Sequence, residues 1–576
     1  MRTLVLVVLF VCGSSRADPS PEVQLTLLSL RAGERARVEK AIGLVEEMPL
    51  YRAQLELDPG KREVTGKLFI TYVARKVAID EVYLRINANQ QESRVKLSHA
   101  TVNGRPAILE QPEPTLYRVK LDPVAEKGTG AVIEVRLKAL VPPAMADSDS
   151  LSASKLSNDR GNDYGAFSAA PEIVSLTGML PGVAAQNDEG EPSPGPTGIG
   201  DLGDFELANW LVNVTVPNAW TVVAPGLGLG DVPEQGGKTR YTYAIAAARD
   251  FVLFATRGYE VTTGKVDDIT IESRYMVADK DAGKRVFKYA VDSIAEYQKR
   301  FGPYPYTTFR VLEARLHGGA GGMEFPGLVT VSTALYRGAA DPLAALGMPG
   351  LSAIPQLQGM LGDLKPMMES TLEFTVAHEV AHQWFAMMVG SDAINEPIVD
   401  EPLTQHAALL YLEWKRGKTT ADAMRKGQLT GAFHMLRMMG GEDAAANRPT
   451  HEFNGTNEYA ALIYGKAPQF YDHARKLVGD EKYFKTLRAY ADGLRWGIAR
   501  PDTLTAMLSK AAPAQSKPLE KLRKRWWDEA HGDEDLGKPD LGAMFGGGLG
   551  SGSAGPALDA NTMRLLEEAM RALEGQ

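Results

Sequence analysis

The sequence predicts an α+β protein of several domains: an antiparallel β domain, then a mixed α/β domain, then a short helical tail. Three observations predict it. The chain has 576 residues, and a single hydrophobic core stops growing at roughly 250 to 300. Up to about residue 258, short apolar and polar alternations recur between turn signals, which is the period of half-buried strands. Beyond that point helical periodicity dominates and only a few strand-like runs remain. These changes divide the chain into a leader at 1–17, a β domain with a leading helix at 18–258, an α/β domain at 259–537, and a linker with a tail helix at 538–576.

In chain order, MRTLVLVVLFVCGSSRADPS has Arg2, an apolar stretch from Leu4 to Cys12 and small residues before a cut after Ala17. That order is an export signal and places the mature chain in the periplasm or outside the cell. A second reading is lipid attachment at Cys12, which Gly13, Ser14 and Ser15 follow. Cys12 is the only cysteine, so the mature chain is expected to fold without disulfides. Residues 22–46 are apolar at helical spacing and predict one or two helices. Strands follow at 51–58, 67–75, 81–86, 116–122, 131–140, 210–216, 220–224, 240–245 and 250–256, each rich in β-branched and aromatic residues. Residues 186–204 are rich in Pro, Gly and Asp and read as a long surface loop.

In the second domain, 268–277 reads as a strand and 282–302 as a helix, and strands at 309–314 and 328–333 bracket a glycine-rich loop. Residues 340–368 carry Pro342, Pro349, Pro355 and Pro366 and read as an irregular packed insertion, with a lid or partner surface as the other reading. The tail runs from a flexible FGGGLGSGSAGP linker into a short amphipathic helix with Met563, Leu566, Met570 and Leu573 on one stripe. A net charge of -9, with Lys and Arg spread among Asp and Glu, has no basic footprint and argues against nucleic acid. After the leader no apolar run approaches the roughly 20 residues that span a bilayer, so no transmembrane span is expected in the mature chain. Nothing in the pattern sets an oligomeric state.

The chemistry is concentrated in TVAHEVAHQWF. His378 and His382, four apart on a helix, share one face, so both imidazoles can reach one metal ion. Glu379 is offset around the helix, free of the metal and placed to hold and deprotonate a water. Gly390, Ser391, Asp392, Asn395 and Pro397 then turn the chain, which lets Glu401 return on a following helix as third ligand. Two His and one Glu form a known catalytic zinc set.

HEVAHQWF, followed by VGSD and then VDE at the third ligand, resembles the gluzincin zinc aminopeptidases typified by aminopeptidase N and the leukotriene epoxide hydrolase. The likeness covers most of the chain, and WWDEAHGDEDLG at 526–537 is similar to the end of the family's compact members. The resemblance implies a saddle-like β domain before a thermolysin-like catalytic domain, one zinc ion, and peptides with a free N-terminus as substrates. It also implies that GGAGGMEFPG lies along an edge strand, with Gly321, Gly322 and Met323 against the substrate and Glu324 gripping its α-amine. Here Phe325 and Pro326 follow that Glu, where the family commonly has Asn. In ALIYGKAP, Tyr464 takes the place of the family's donor to the oxyanion, with Tyr459 as the nearby competitor.

After Glu401 the chain departs from the family pattern. Pro402 replaces a Gly and is acceptable only early in its helix. His406 falls near a usual Tyr and reads as a surface residue rather than a partner to a ligand, and His317 reads as loop. The resemblance thus implies an exported zinc aminopeptidase with Glu379 as general base. Two other readings stand beside it: a zinc hydrolase acting on an epoxide or other non-peptide, and a binding module that keeps the fold without catalysis. Loss of Glu379 or of a ligand would mark the last, and neither is lost.

Overall fold

The computed structural model describes residues 19–537 and 539, apart from 76, 146–162, 187–190, 202, 204, 205, 339 and 346–357. The leader with Cys12, the centre of the proline-rich stretch, the glycine-rich linker and the tail helix therefore lie outside the described residues.

The chain begins with two helices, Pro21–Leu27 and Glu34–Ile42. Ser20 caps the first through its side chain and Pro21 occupies the first turn, where a missing N–H does no harm. The β domain follows as an eight-stranded sheet and two four-stranded sheets. The large sheet runs, in spatial order, Leu227–Glu234, Lys238–Ala248, Ala208–Pro217, Leu50–Asp58, Glu63–Val73, Gly130–Leu140, Val95–Val102 and Arg105–Pro106. Alternating burial along Gly130–Leu140 shows one face on the core, as its sequence pattern requires.

The expectation of a purely antiparallel domain needs one correction: Leu50–Asp58 pairs in parallel with Ala208–Pro217, with Leu50 opposite Asn209. Those strands are distant in sequence, so no hairpin sets their relative direction, and alternation reads the same in either. Tyr51 stacks on Trp210 across this pair, with centroids 3.9 Å apart. Leu227–Glu234 went unpredicted because Gly228, Gly230 and Pro233 read as turn residues, and it is an edge strand, where they are tolerated.

From Tyr259 onward a five-stranded sheet takes over, in the order Tyr259–Val266, Ile269–Met276, Thr308–Ala314, Leu328–Ser332 and Gly322–Phe325. Its central pairs are parallel, and Gly322–Phe325 closes one edge antiparallel to Leu328–Ser332. Helix Lys280–Phe301 packs its buried stripe against the strands. Helix Gln358–Ala381 runs through Pro366, so residues 358–368 belong to the metal-bearing helix rather than to an insertion. Among the described residues no helix is long and apolar enough to cross a membrane.

The two domains meet through buried polar contacts. Arg495 pairs with Glu34 at 3.0 Å, both side chains 3% exposed, and Arg310 donates to the carbonyls of Ala224 and Gly226. Both ions of the first pair are desolvated, and each would be costly to leave alone.

Candidate metal centre and active site

Leu372, Val376, Ala377, Val380 and Ala381 are all buried, so the metal helix is held by packing around the histidines. The chain widens after His382, where Met387 N–H bonds to the His382 carbonyl and Phe385 and Ala386 leave helical angles. Glu401 opens the next helix, Glu401–Arg416, with the Asp400 carboxylate accepting its N–H at 2.7 Å. Pro402 therefore sits in the first turn, where its ring is tolerated. Tyr297 fixes the spacing of the two helices by donating to the carbonyls of Ala377 and Ala407.

His378 Nε2 and His382 Nε2 are 3.1 Å apart, and Glu401 Oε2 lies 3.3 Å and 3.4 Å from them. Tetrahedral zinc with ligand bonds near 2.0–2.1 Å needs donor atoms about 3.3 Å apart. Glu401 Oε2 is buried without a hydrogen-bond partner among the described residues, as an atom reserved for a metal would be. The donor set and spacing fit zinc. Burial raises the Glu401 carboxyl, but the charge of His382 and the closeness of His378 outweigh it and hold the group below the ordinary carboxylate range. The Thr404 hydroxyl faces His382 Nδ1 at 3.4 Å.

Glu379 is 4% exposed and bonds to neither histidine. Burial, then the charges of Glu324 and Glu401, push its carboxyl well above the usual range, with His382 opposing. Gly322 explains how so large a side chain fits: a Cβ there would come within 2.3 Å of Glu379 Oε1. Gly322→Ala is therefore expected to displace the carboxylate and lower kcat by about 10²-fold, with zinc content unchanged by metal analysis.

The strand Gly322–Phe325 lies beside the metal helix because Gln383 clamps the hairpin, accepting from Gly327 N–H at 2.9 Å and donating to the Phe325 carbonyl at 3.0 Å. Its outer edge pairs with no strand among the described residues. Gly321, Gly322, Met323 and Glu324 all line a cavity of about 420 Å3 that also holds His378, Glu379, Glu401 and Tyr464. Burial pushes the Glu324 carboxyl up to about 7, with His382 opposing.

Tyr464 donates its hydroxyl to Glu401 Oε1 at 2.5 Å. Burial, and then the negative charge of Glu401, keep its proton on, well above the ordinary phenol range. Lys466, fully buried, anchors this segment through Asp443 and the carbonyls of Ala444 and Glu529. Tyr459 also lines the cavity, but its ring packs on Phe453 and its hydroxyl abuts Gly200.

Two expectations fail here. The 186–204 stretch is not simply a surface loop: Ile199 is 1% exposed, and Gly200, at positive φ, presses on Tyr459 and places Asp201 in the cavity. Carboxylate oxygens of Asp201, Glu324 and Glu401 lie within 4.8 Å of one another. Nothing local marks Asp201, since Gly-Asp in a Pro-rich stretch is ordinary turn chemistry. His406 is the second: it is 1% exposed, packed between Tyr471 and Tyr483, and burial pushes its pKa down to about 3. His317 is in a loop, 3.7 Å from Asp163.

Residues 356–526 match the model of the peptidase family M1 domain. By sequence alone the chain matches no curated protein. Among solved structures, the M1 zinc metallopeptidase of Deinococcus radiodurans superposes with a TM-score of 0.56 at 16% identity, covering 84% of this chain and 94% of that one. A mutant of that enzyme bound to Tyr-Ser-Ala substrate gives a TM-score of 0.53 at 16% identity, covering 86% and 95%. At such identities the likeness speaks for the fold, a β domain followed by a catalytic domain. The family match falls on the segment that carries the two histidines and the glutamate, and it marks residues 356–526 as a peptidase family M1 domain in which His378, His382 and Glu401 form a group able to hold zinc.

Proposed function

We propose that the protein is an exported aminopeptidase, removing the first residue from peptides. The observation that carries this is the convergence of Asp201 and Glu324 beside the ligand Glu401. A cluster of desolvated carboxylates is unfavourable until a cation joins it, and a peptide's α-ammonium is a cation one residue away from the scissile bond. An epoxide offers no such charge. The open edge of Gly322–Phe325 supplies backbone N–H and C=O groups for an extended peptide to pair with. A mutant of the similar Deinococcus radiodurans enzyme is bound to a Tyr-Ser-Ala substrate.

Zinc, when bound, supplies a Lewis acid that lowers the pKa of a water and polarises the carbonyl. Asp201 and Glu324 hold the ammonium and so fix which peptide bond meets the ligands. Glu379, raised and buried, accepts the water's proton as oxygen attacks carbon and returns it to the leaving amine. The Tyr464 hydroxyl, a donor at any working pH, turns from Glu401 to the oxyanion as charge develops there. Export rests on the order of charge, apolar core and small residues in 1–17, which N-terminal sequencing of the mature protein tests.

Acetylating the α-amine of an aminoacyl amide leaves Asp201 and Glu324 unpaired and is expected to lower kcat/KM by at least about 10²-fold. A panel of fluorogenic aminoacyl amides and their N-acetyl forms measures this. Equal rates for the two forms would sink the amine anchor.

A further inference from the structure

One acid in the cavity wall takes no part in the chemistry above. Asp250 follows the strand Lys238–Ala248 and lines the same cavity as the metal ligands. It stands apart from the acids around the metal: none of Asp201, Glu324, Asp400 or Glu401 acts on it. Its surroundings are the segment after the metal helix, since neighbouring Arg249 lies over Gly390, and Met387, Ser391 and Ala393 share the wall. The neighbouring Arg249, which donates to the Gly497 carbonyl at 2.9 Å, forms no ion pair with it, and the Arg249 charge is not among the influences on the Asp250 carboxyl. Among the described residues Asp250 has no ion pair, and its carboxylate accepts one bond, from Phe251 N–H at 2.6 Å. It keeps some exposure to the cavity, yet burial pushes its pKa up to about 6.

A carboxylate held in a cavity wall without a counter-charge is unfavourable unless a cation arrives with the ligand. Once the α-ammonium is held by Asp201 and Glu324, the first residue's side chain starts beside them and is free to run along the wall that Asp250 lines. Lysine and arginine side chains are the long ones that end in a cation.

We propose that Asp250 forms the floor of the subsite for the substrate's first side chain and selects a basic N-terminal residue. This rests on the amine-anchor reading of the same cavity. Lysine and norleucine differ chiefly by the terminal ammonium, so their binding to the zinc-loaded protein, measured by calorimetry, isolates this subsite without turnover. Lysine is expected to bind about tenfold or more tighter than norleucine, and Asp250→Asn to shrink the gap to about threefold or less. Norleucine binding no weaker than lysine in the parent protein overturns the proposal. So does an Asp250→Asn variant that keeps the gap, or one that loses both ligands together, which would assign Asp250 to the scaffold. N-acetylnorleucine binding as tightly as norleucine would instead remove the amine anchor, even where the lysine preference stands.

Discussion

Glu379→Gln is expected to retain zinc and to lower turnover by about 10³-fold, within the range of a lost general base. The substitution keeps the shape of the side chain, which matters because Gly322 leaves room for that shape and no more. It removes only the ability to take a proton, and the metal's three candidate ligands are untouched. Metal analysis beside steady-state kinetics separates the two effects: loss of zinc would make Glu379 a structural group, and survival of activity would remove its role as base. The metal-free variant carries a second expectation. Burial and neighbouring carboxylates raise the Glu379 pKa in the folded protein, so its ionisation costs stability as pH rises through that raised value. Gln carries no such cost, and metal-free Glu379→Gln is expected to melt above the parent at neutral pH.

Removing zinc, by chelation or by His382→Ala, is expected to abolish measurable turnover and lower the melting temperature. A ligand that binds only the folded chain at a thousand times its Kd adds about 4 kcal/mol to stability. The pH dependence has a definite sign. In the metal-free protein burial lowers the His382 pKa, but Glu324, Glu401 and Glu379 outweigh it and hold the imidazole well above its ordinary value. Zinc must then displace that proton, so affinity falls by up to about tenfold per pH unit on acidification below the raised pKa. Zinc titrations between about pH 6 and 8 measure this, and an affinity independent of pH would show that His382 is neutral before the metal arrives.

Much of the metal centre was legible before any coordinates. His378 and His382 are four apart, and helical geometry alone stacks them. Pro402, an apparent defect, needed only to lie early in its helix, and Asp400 capping Glu401 puts it there. His406 was misread because a polar residue in a sequence defaults to the surface. Tyr471 and Tyr483, which bury it, come from helices far along the chain. The strand Tyr259–Val266 was missed because its outward residues are exposed at an edge and its pattern is weak.

What the sequence determined by itself is local: which residues lie on one helix face, which runs alternate as strands, and where turns end them, because spacing of a few residues is set by backbone geometry. From that came the candidate ligand pair, the candidate base and the order of a strand-rich region before a helix-rich one. Only the tertiary structure decided that Asp201 and Asp250, from the β-domain side, share a cavity with Glu324, Glu379 and Tyr464. That meeting depends on packing between domains, where partners lie far apart along the chain and no spacing records their approach. The metal chemistry is therefore written in the chain, and the proposed substrate selection in the fold.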